Sequence, residues 1–476
     1  MKADSNIPLE TDDGCIVEPL DPALDLAEAF TRLARRPHVL FLDSARRDRE
    51  LGRYSFLSAD PFGYFEIPIG QPDALDQIAH RMAPFRSATL AGLPPFQGGA
   101  AGLLSYDLGR SLEKLPAPRI DEFQAPAVAV GVYDTVLAVD HFENRAWLVS
   151  QGFPEIEPAA RRRRARERLA SFRAWLAEPA GAAPPVAAPR LSLAELAPQF
   201  PVPGPEGLTS NFSAADYLQA TRRAIEYIHA GDVFQVNIAQ RLLYPAHDDA
   251  VSLYLRLRRR NPATFAGFFD LGETQIASAS PERFLKVTDR EVEARPIKGT
   301  RQRTARPEAD LFSGDELLAS EKDRAENVMI VDLLRNDLSR VCLPGSVRVT
   351  QLCGLETYEF VQHLVSVVRG TLASGRTPLD LLRASFPGGS VTGAPKVRAM
   401  EIIAEIEPTA RGAYCGALGY LGFDGSFDTN ILIRTITASR GWWQAPVGGG
   451  IVAQSVCERE YEETWHKATG LLRALR

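Results

Sequence analysis

Apolar residues alternate with polar ones through many short stretches of this chain, and between those stretches they recur at the 3.6-residue spacing of a helix. Leu24–Leu33 has the helical spacing and leads into a strand-like Val39-Leu40-Phe41-Leu42. Arg53–Ala59 alternates and stops at the turn Asp60-Pro61, and the glycine-rich Pro94–Gly102 runs into Leu103–Tyr106. Glycines spaced in this way let neighbouring backbone come close inside a sheet, a packing role. Ala127–Val139 and Ala146–Val149 read as a β-hairpin around the polar turn His141–Arg145. Behind a polar lead at residues 1–16, the first part of the chain is therefore expected to be rich in sheet.

Residues 155–177 form a predicted helix that carries Arg161, Arg162, Arg163, Arg164 and Arg166, with Leu169, Phe172 and Leu176 on one side. Its arginines read as a solvated face rather than a nucleic-acid patch. From Glu178 to Leu208 the chain turns rich in proline and alanine, which cannot sustain a helix. The expected organisation is a sheet-rich region 1–177, a linker 178–208 and a second region 209–476. That second region opens on Ser213, a helix cap with Asp216 three residues on, and the helix is expected to stop at Gly231. Asp232–Gln240 then alternates as a strand, but Gln235 and Asn237 are polar on a face where a core strand would be apolar, so this face is expected to line a cavity.

Two further strands bracket Glu282, and the segment Glu293–Arg301 follows. Within it Lys298 stands between a proline-stiffened approach and Gly299, which tolerates unusual backbone angles. An ammonium group mounted there is delivered at a fixed position. Most lysines are simply solvated, so this pattern alone does not assign it a task. Ala319–Leu334 and Glu458–Leu472 have helical periodicity. Each carries acids three apart, Asp323 with Glu326 and Glu460 with Glu463, and Lys467 lies one turn beyond the second pair. Two such pairs, brought together, have the oxygen donors that Mg²⁺ prefers.

Composition narrows the partners. With 476 residues and 45% apolar content the chain can bury a sizeable core, and a net charge of −6 argues against a nucleic-acid or anionic-membrane binder. A small-molecule partner is expected instead. The five cysteines are scattered without a CxxC pair, so neither a disulfide framework nor a thiolate zinc site is suggested. Met1–Asn6 opens no apolar signal segment and no 18-residue apolar run occurs, so a reducing compartment, the cytoplasm, is expected.

Several ordered motifs now become readable together. They are Pro296-Ile297-Lys298-Gly299-Thr300, Glu321–Asn327 running into Asp332–Leu338, Phe386–Lys396, Gly448-Gly449-Gly450-Ile451-Val452 and Glu460–Thr464. In this order they resemble the chorismate-utilising enzymes, which include anthranilate synthase component I, aminodeoxychorismate synthase component I and the isochorismate and salicylate synthases. The resemblance covers nearly the whole chain and is weakest before residue 90 and through the linker. It implies an α+β fold of two large antiparallel β-sheets packed on each other with helices outside, the two halves of the chain being interwoven.

Carried over residue by residue, the resemblance implies that Glu326 and Glu463 bind Mg²⁺, with Glu460 and Asp323 behind them through water. Asp323 stands where anthranilate synthases often have glutamate. Arg434 and Tyr414, with the amides of Gly448, Gly449 and Gly450, would hold one carboxylate of chorismate, and the metal would take the other. Ser390 and His363 fall beside the ring, Lys467 near the metal, and Thr300 and Gln235 also border the substrate.

Within the family, isochorismate and salicylate synthases have a lysine where this chain has Gln235, which disfavours hydration here. Lysine rather than alanine in the Pro-Ile-x-Gly-Thr motif resembles the aminodeoxychorismate branch, which leads through 4-aminobenzoate to folate. That resemblance implies amine-for-hydroxyl exchange through a covalent intermediate on Lys298, with Glu282 as acid and base. It also implies ammonia delivered from glutamine by a separate amidotransferase subunit. Anthranilate formation and a non-catalytic chorismate-binding homologue are the alternatives. Relatives also hold tryptophan near a Leu-Glu-Ser motif, and the matching stretch here is Leu42-Asp43-Ser44.

Overall fold

The computed structural model describes residues 8–179, 190–303, 307–357 and 361–476, without the side chains of 300, 302, 307–309, 311 and 361. Among the described residues the strands form one fourteen-stranded and one ten-stranded antiparallel sheet. The fold is thus α+β, two large antiparallel sheets with helices outside them.

Both sheets mix early and late strands. In the larger one, Leu40–Asp43 pairs with Phe265–Asp270, and in the smaller one Gly99–Leu104 pairs with Ala417–Gly422. Inward-facing apolar side chains from both sheets meet between them, among them Leu103, Leu418 and Tyr420 from one and Val136, Phe269 and Ile276 from the other. Phe56 lies edge-on to Tyr420 across this layer, with ring centroids 6.0 Å apart. The helices Leu26–Leu33, Pro158–Ala177, Ala250–Arg260 and Cys457–Ala474 bury their apolar stripes on the outer face of the larger sheet. Glu321–Ser339 packs on the smaller sheet and Pro378–Ser385 against that helix, whereas Lys396–Ile406 packs on Gln235–Pro245 of the larger sheet.

Local expectations hold where local chemistry governs. Ser213 caps the helix Ala214–His229 by accepting from the Asp216 amide at 3.1 Å, and Gly231 follows it at φ +85°. Three expectations change. The run Ala127–Val139 is not one strand, because the chain passes from the smaller sheet (Val128–Tyr133) to the larger (Thr135–Asp140) at Asp134, and only the second part pairs with Arg145–Ser150. Both halves of the run are apolar because both are covered, and the buried Asp134 carboxylate lies 3.6 Å from Arg164 and 3.4 Å from Arg168.

Those contacts also correct the arginine helix, whose basic face is only partly solvated. Arg161 is buried, donates to the Gln151 carbonyl at 3.1 Å and lies over the Phe153 ring, its stem packing as apolar surface. The polar lead, where described, is also structured, with Leu9–Glu10 pairing to Ile16–Leu20 and Cys15 buried. Of the expected linker, residues 180–189 and their prolines lie outside the described residues. The rest is anchored at a few points, with Leu191, Leu196 and Leu208 buried and the Leu191 carbonyl accepting from Trp442 Nε1 at 2.9 Å. No helix among the described residues is long and apolar enough to cross a membrane.

Candidate active site

The chain changes sheets again between Thr274–Ser280 and Arg283–Thr288, and Glu282 sits in that link. The Ile431 amide donates to its carbonyl at 3.0 Å, which ties the link down, and the residue is only 4% exposed. Its Oε1 accepts from Ser390 Oγ at 2.9 Å. Burial pushes the carboxyl up to about 7, against the opposing effects of Lys298, the Ser390 hydroxyl and the Ile297 N–H. A carboxyl so placed can give or take a proton near neutrality.

Lys298 lies on Ile297–Gln302, opposite Leu364 of Val361–Thr371. The register slips between Lys298 and Thr300, at Gly299, whose φ is +70°. A Cβ there would stand 2.7 Å from Leu317 Cδ1 and 3.0 Å from Asp323 Cγ. Glycine is therefore needed both for the bulge and for its approach to the helix carrying Asp323. Lys298 Nζ donates to the Ser390 carbonyl at 3.2 Å. Burial lowers the pKa of this ammonium, while Glu326 first and Glu282 second oppose the shift. Thr300 faces His363 across the strand pair, but its side chain lies outside the described residues. His363 is buried, and burial and Arg46 bring its imidazole down to about 4, so it is neutral at pH 7.

The two acid-bearing helices come together as the sequence alone could not establish. Lys322 bridges them, 3.9 Å from Glu326 on its own helix and 3.6 Å from Glu460 on the other. Glu460 also accepts from Ser455 Oγ at 2.7 Å, and Glu463 pairs with Lys467 at 2.7 Å. Asp323 instead lies 3.6 Å from Arg301. Burial raises the Glu326 carboxyl, and the nearby Asp323 and Glu463 charges raise it further. Among the described residues no three acidic, His or Cys side chains converge as a closed metal cage. The donor set nonetheless fits a hard cation that keeps its waters. A Cβ on Gly449 would stand 3.5 Å from Glu460, 3.6 Å from Glu463 and 3.7 Å from Lys467, so the missing side chain leaves that space open.

Arg434 sits at φ +53° and donates from Nη1 to the Lys467 carbonyl at 2.7 Å, on the helix that carries Glu463. Burial lowers its pKa, with Tyr414 and Glu463 opposing. Lys467 Nζ donates to the Gly448 carbonyl at 2.8 Å. The glycines pair with Gln235–Pro245, Gly450 facing Asn237, and a Cβ on Gly450 would fall 2.1 Å from Gln235 Nε2. Gln235 Oε1 and Nε2 and Asn237 Oδ1 are buried and have no partner among the described residues. Buried polar atoms left this way are rare, and three together mark where a polar ligand can complete the hydrogen bonds.

Glu282, Lys298 and Ser390 are thus joined by direct hydrogen bonds, Glu326, Glu460, Glu463 and Lys467 by a chain of lysine ion pairs and the Gly449 gap, and Arg434, Gly448 and Gly450 through Lys467 and Gln235. Sequence reasoning missed Lys322 as a member of this group, although it stands at helical spacing before Glu326. It also missed the buried pair Glu407–Arg411, whose only sequence signal is an acid and a base four apart in an otherwise apolar setting.

Residues 39–473 match the family described as chorismate binding enzyme. Anthranilate synthase component 1 of Thermus thermophilus is 40% identical over 457 residues, covering 94% of each chain. Aminodeoxychorismate synthase component 1 of Klebsiella aerogenes is 45% identical over 381 residues, covering 80% of this chain and 78% of the relative. The crystal structure of anthranilate synthase component I from Streptococcus pneumoniae superposes with a TM-score of 0.74 at 29% identity, over 88% of this chain and 92% of that one.

Proposed function

Since the chain belongs to the chorismate binding enzyme family, we propose that it acts as an aminodeoxychorismate synthase component I, forming 4-amino-4-deoxychorismate from chorismate and ammonia. The observation that carries this reading is Lys298, half-buried, depressed in pKa and hydrogen-bonded to the residue that also holds Glu282. The neutral amine of Lys298 attacks ring C2 while the C4 hydroxyl leaves, protonated by Glu282 to water. Ammonia then adds at C4, the C2–N bond to Lys298 breaks, and Glu282 takes up the proton that the incoming nitrogen loses.

Arg434, Tyr414 and the Gly448–Gly450 backbone bind one substrate carboxylate, and Gln235 and Ser390 border the ring with the neutral His363. Mg²⁺, when bound, would be held by Glu326 and Glu463, with Glu460 and Asp323 through water, and would supply positive charge for the other carboxylate. The nitrogen comes from a separate glutamine amidotransferase subunit. All five cysteines are unpaired, which suits the cytoplasm.

The second reading is anthranilate formation, favoured by the likeness to the Thermus enzyme. Incubating the pure chain with chorismate, Mg²⁺ and ammonium salt and identifying the product by mass spectrometry decides between them. Anthranilate with pyruvate as the main products would overturn the proposal.

A further inference from the structure

Arg411 and Glu407 form a buried ion pair outside the groups used above. The guanidinium donates from Nε to Glu407 Oε2 at 2.9 Å and from Nη2 to Oε1 at 2.6 Å. Two further N–H groups go to carbonyls, Nη1 to Val391 at 2.9 Å and Nη2 to Asn237 at 3.0 Å. Glu407 Oε1 also accepts from the Ala239 amide at 2.9 Å. The pair thus ties the turn Gly389–Val391 to the strand Gln235–Pro245, and the Arg411 carbonyl accepts from the Tyr414 amide at 3.2 Å.

One residue before Val391 is Ser390, which meets Glu282 through its hydroxyl and Lys298 through its carbonyl. The turn is closed by the Val391 amide and the Thr392 hydroxyl, which donate to the Gly388 carbonyl at 3.2 and 3.0 Å, and the guanidinium bond to Val391 adds a hold directly beside Ser390. A buried guanidinium that makes four hydrogen bonds is a rigid grip that a lysine cannot reproduce. We propose that Arg411, oriented by Glu407, is a positioning residue that fixes Ser390 between Lys298 and Glu282. The inference rests on the chorismate reading of the site and adds to it a residue that touches no reacting atom.

The test is the pH dependence of kcat/KM for chorismate loss in ammonium salt and Mg²⁺. Following chorismate leaves the test intact if the product proves to be anthranilate, since that outcome sinks only the product assignment. The titratable groups facing Glu282 are Lys298 and the Cys415 thiol, which burial pushes up to about 12 and keeps uncharged. Loss of the Ser390 hydrogen bond removes a stabiliser of the Glu282 carboxylate, so the limb on which activity falls with rising pH moves to higher pH. Arg411→Lys and Ser390→Ala are each expected to move it up by about 0.5–1 pH unit. The double variant is expected to move it no further. An unmoved limb in Arg411→Lys, or additive displacements in the double variant, would overturn the proposal. Should Arg411→Lys not fold, the isosteric Glu407→Gln is expected to move the limb the same way by less, and an unmoved limb there counts equally against it.

Discussion

Lys298 Nζ stands 3.2 Å from the carbonyl oxygen of Ser390, and the hydroxyl of that same serine is 2.9 Å from Glu282. One small residue therefore touches both the amine and the carboxyl that exchange protons in the proposed reaction. Its position decides whether the two act together.

The first prediction is chemical. Lys298→Ala lowers 4-amino-4-deoxychorismate formation roughly a hundredfold or more, the scale on which removing a nucleophile is felt. Residual turnover shifts toward attack at C2 by ammonia. Wild-type enzyme given chorismate without ammonia accumulates an adduct on the peptide containing Lys298, read by peptide mass spectrometry. No adduct together with an undiminished alanine variant leaves Lys298 a structural lysine.

Glu282 also makes stability depend on pH. Its folded pKa, about 7, lies above the ordinary 4.5, so the folded state holds its proton more tightly than the unfolded chain. The resulting stability is fully present below pH 4.5 and lost as pH rises through 7. Glu282→Gln removes this loss, so the variant is expected to be more stable than wild type at pH 8 by up to about 3 kcal/mol and little changed near pH 4.5. Urea denaturation at the two pH values checks it, and equal differences at both exclude the buried carboxyl as the cause.

The carboxylate end is tested by neutralising it. Glu326→Gln or Glu463→Gln is expected to abolish turnover with an unchanged circular dichroism spectrum, because both side chains are partly exposed and neither belongs to the apolar core. Chelation should stop the wild-type enzyme and Mg²⁺ should restore it. Full activity of either variant in ammonium salt excludes these acids as metal ligands.

Nitrogen supply gives the fourth prediction. A glutaminase cysteine must be a thiolate, yet burial pushes the thiols of Cys15 and Cys415 up to about 12 and that of Cys342 to about 11. None sits in a nucleophile elbow, and Cys353 is raised as well. The purified chain alone is expected to use ammonium but not glutamine, which a coupled glutamate assay reads directly.

What the sequence discloses follows the range of the forces involved. The Ser213 cap, the Gly231 stop and the Gly299 bulge are local, and each is readable from a few neighbouring residues. Motif order identifies the family and with it the paired sheets, which periodicity alone does not provide. The crossing at Asp134 is hidden because a strand covered on both faces looks alike in either sheet, and only one buried acid interrupts the apolar run. Arg161 and the Glu407–Arg411 pair are missed for a related reason. Charged side chains in sequence read as solvated, and only distant partners such as the Val391 and Asn237 carbonyls make their burial tolerable.

The pairing of early with late strands has a consequence for synthesis. Leu40–Asp43 bonds on one side to Tyr54–Ser58 and on the other to Phe265–Asp270. At about 5–20 residues per second, that second edge stays without its partner for on the order of ten to fifty seconds of translation. Gly99–Leu104 waits longer still, until Ala417–Gly422 has left the ribosome. An unpaired strand edge held open that long is a template for pairing with other nascent chains, so holding factors that shield the emerging first half should raise the yield of native enzyme more than any change at the catalytic centre.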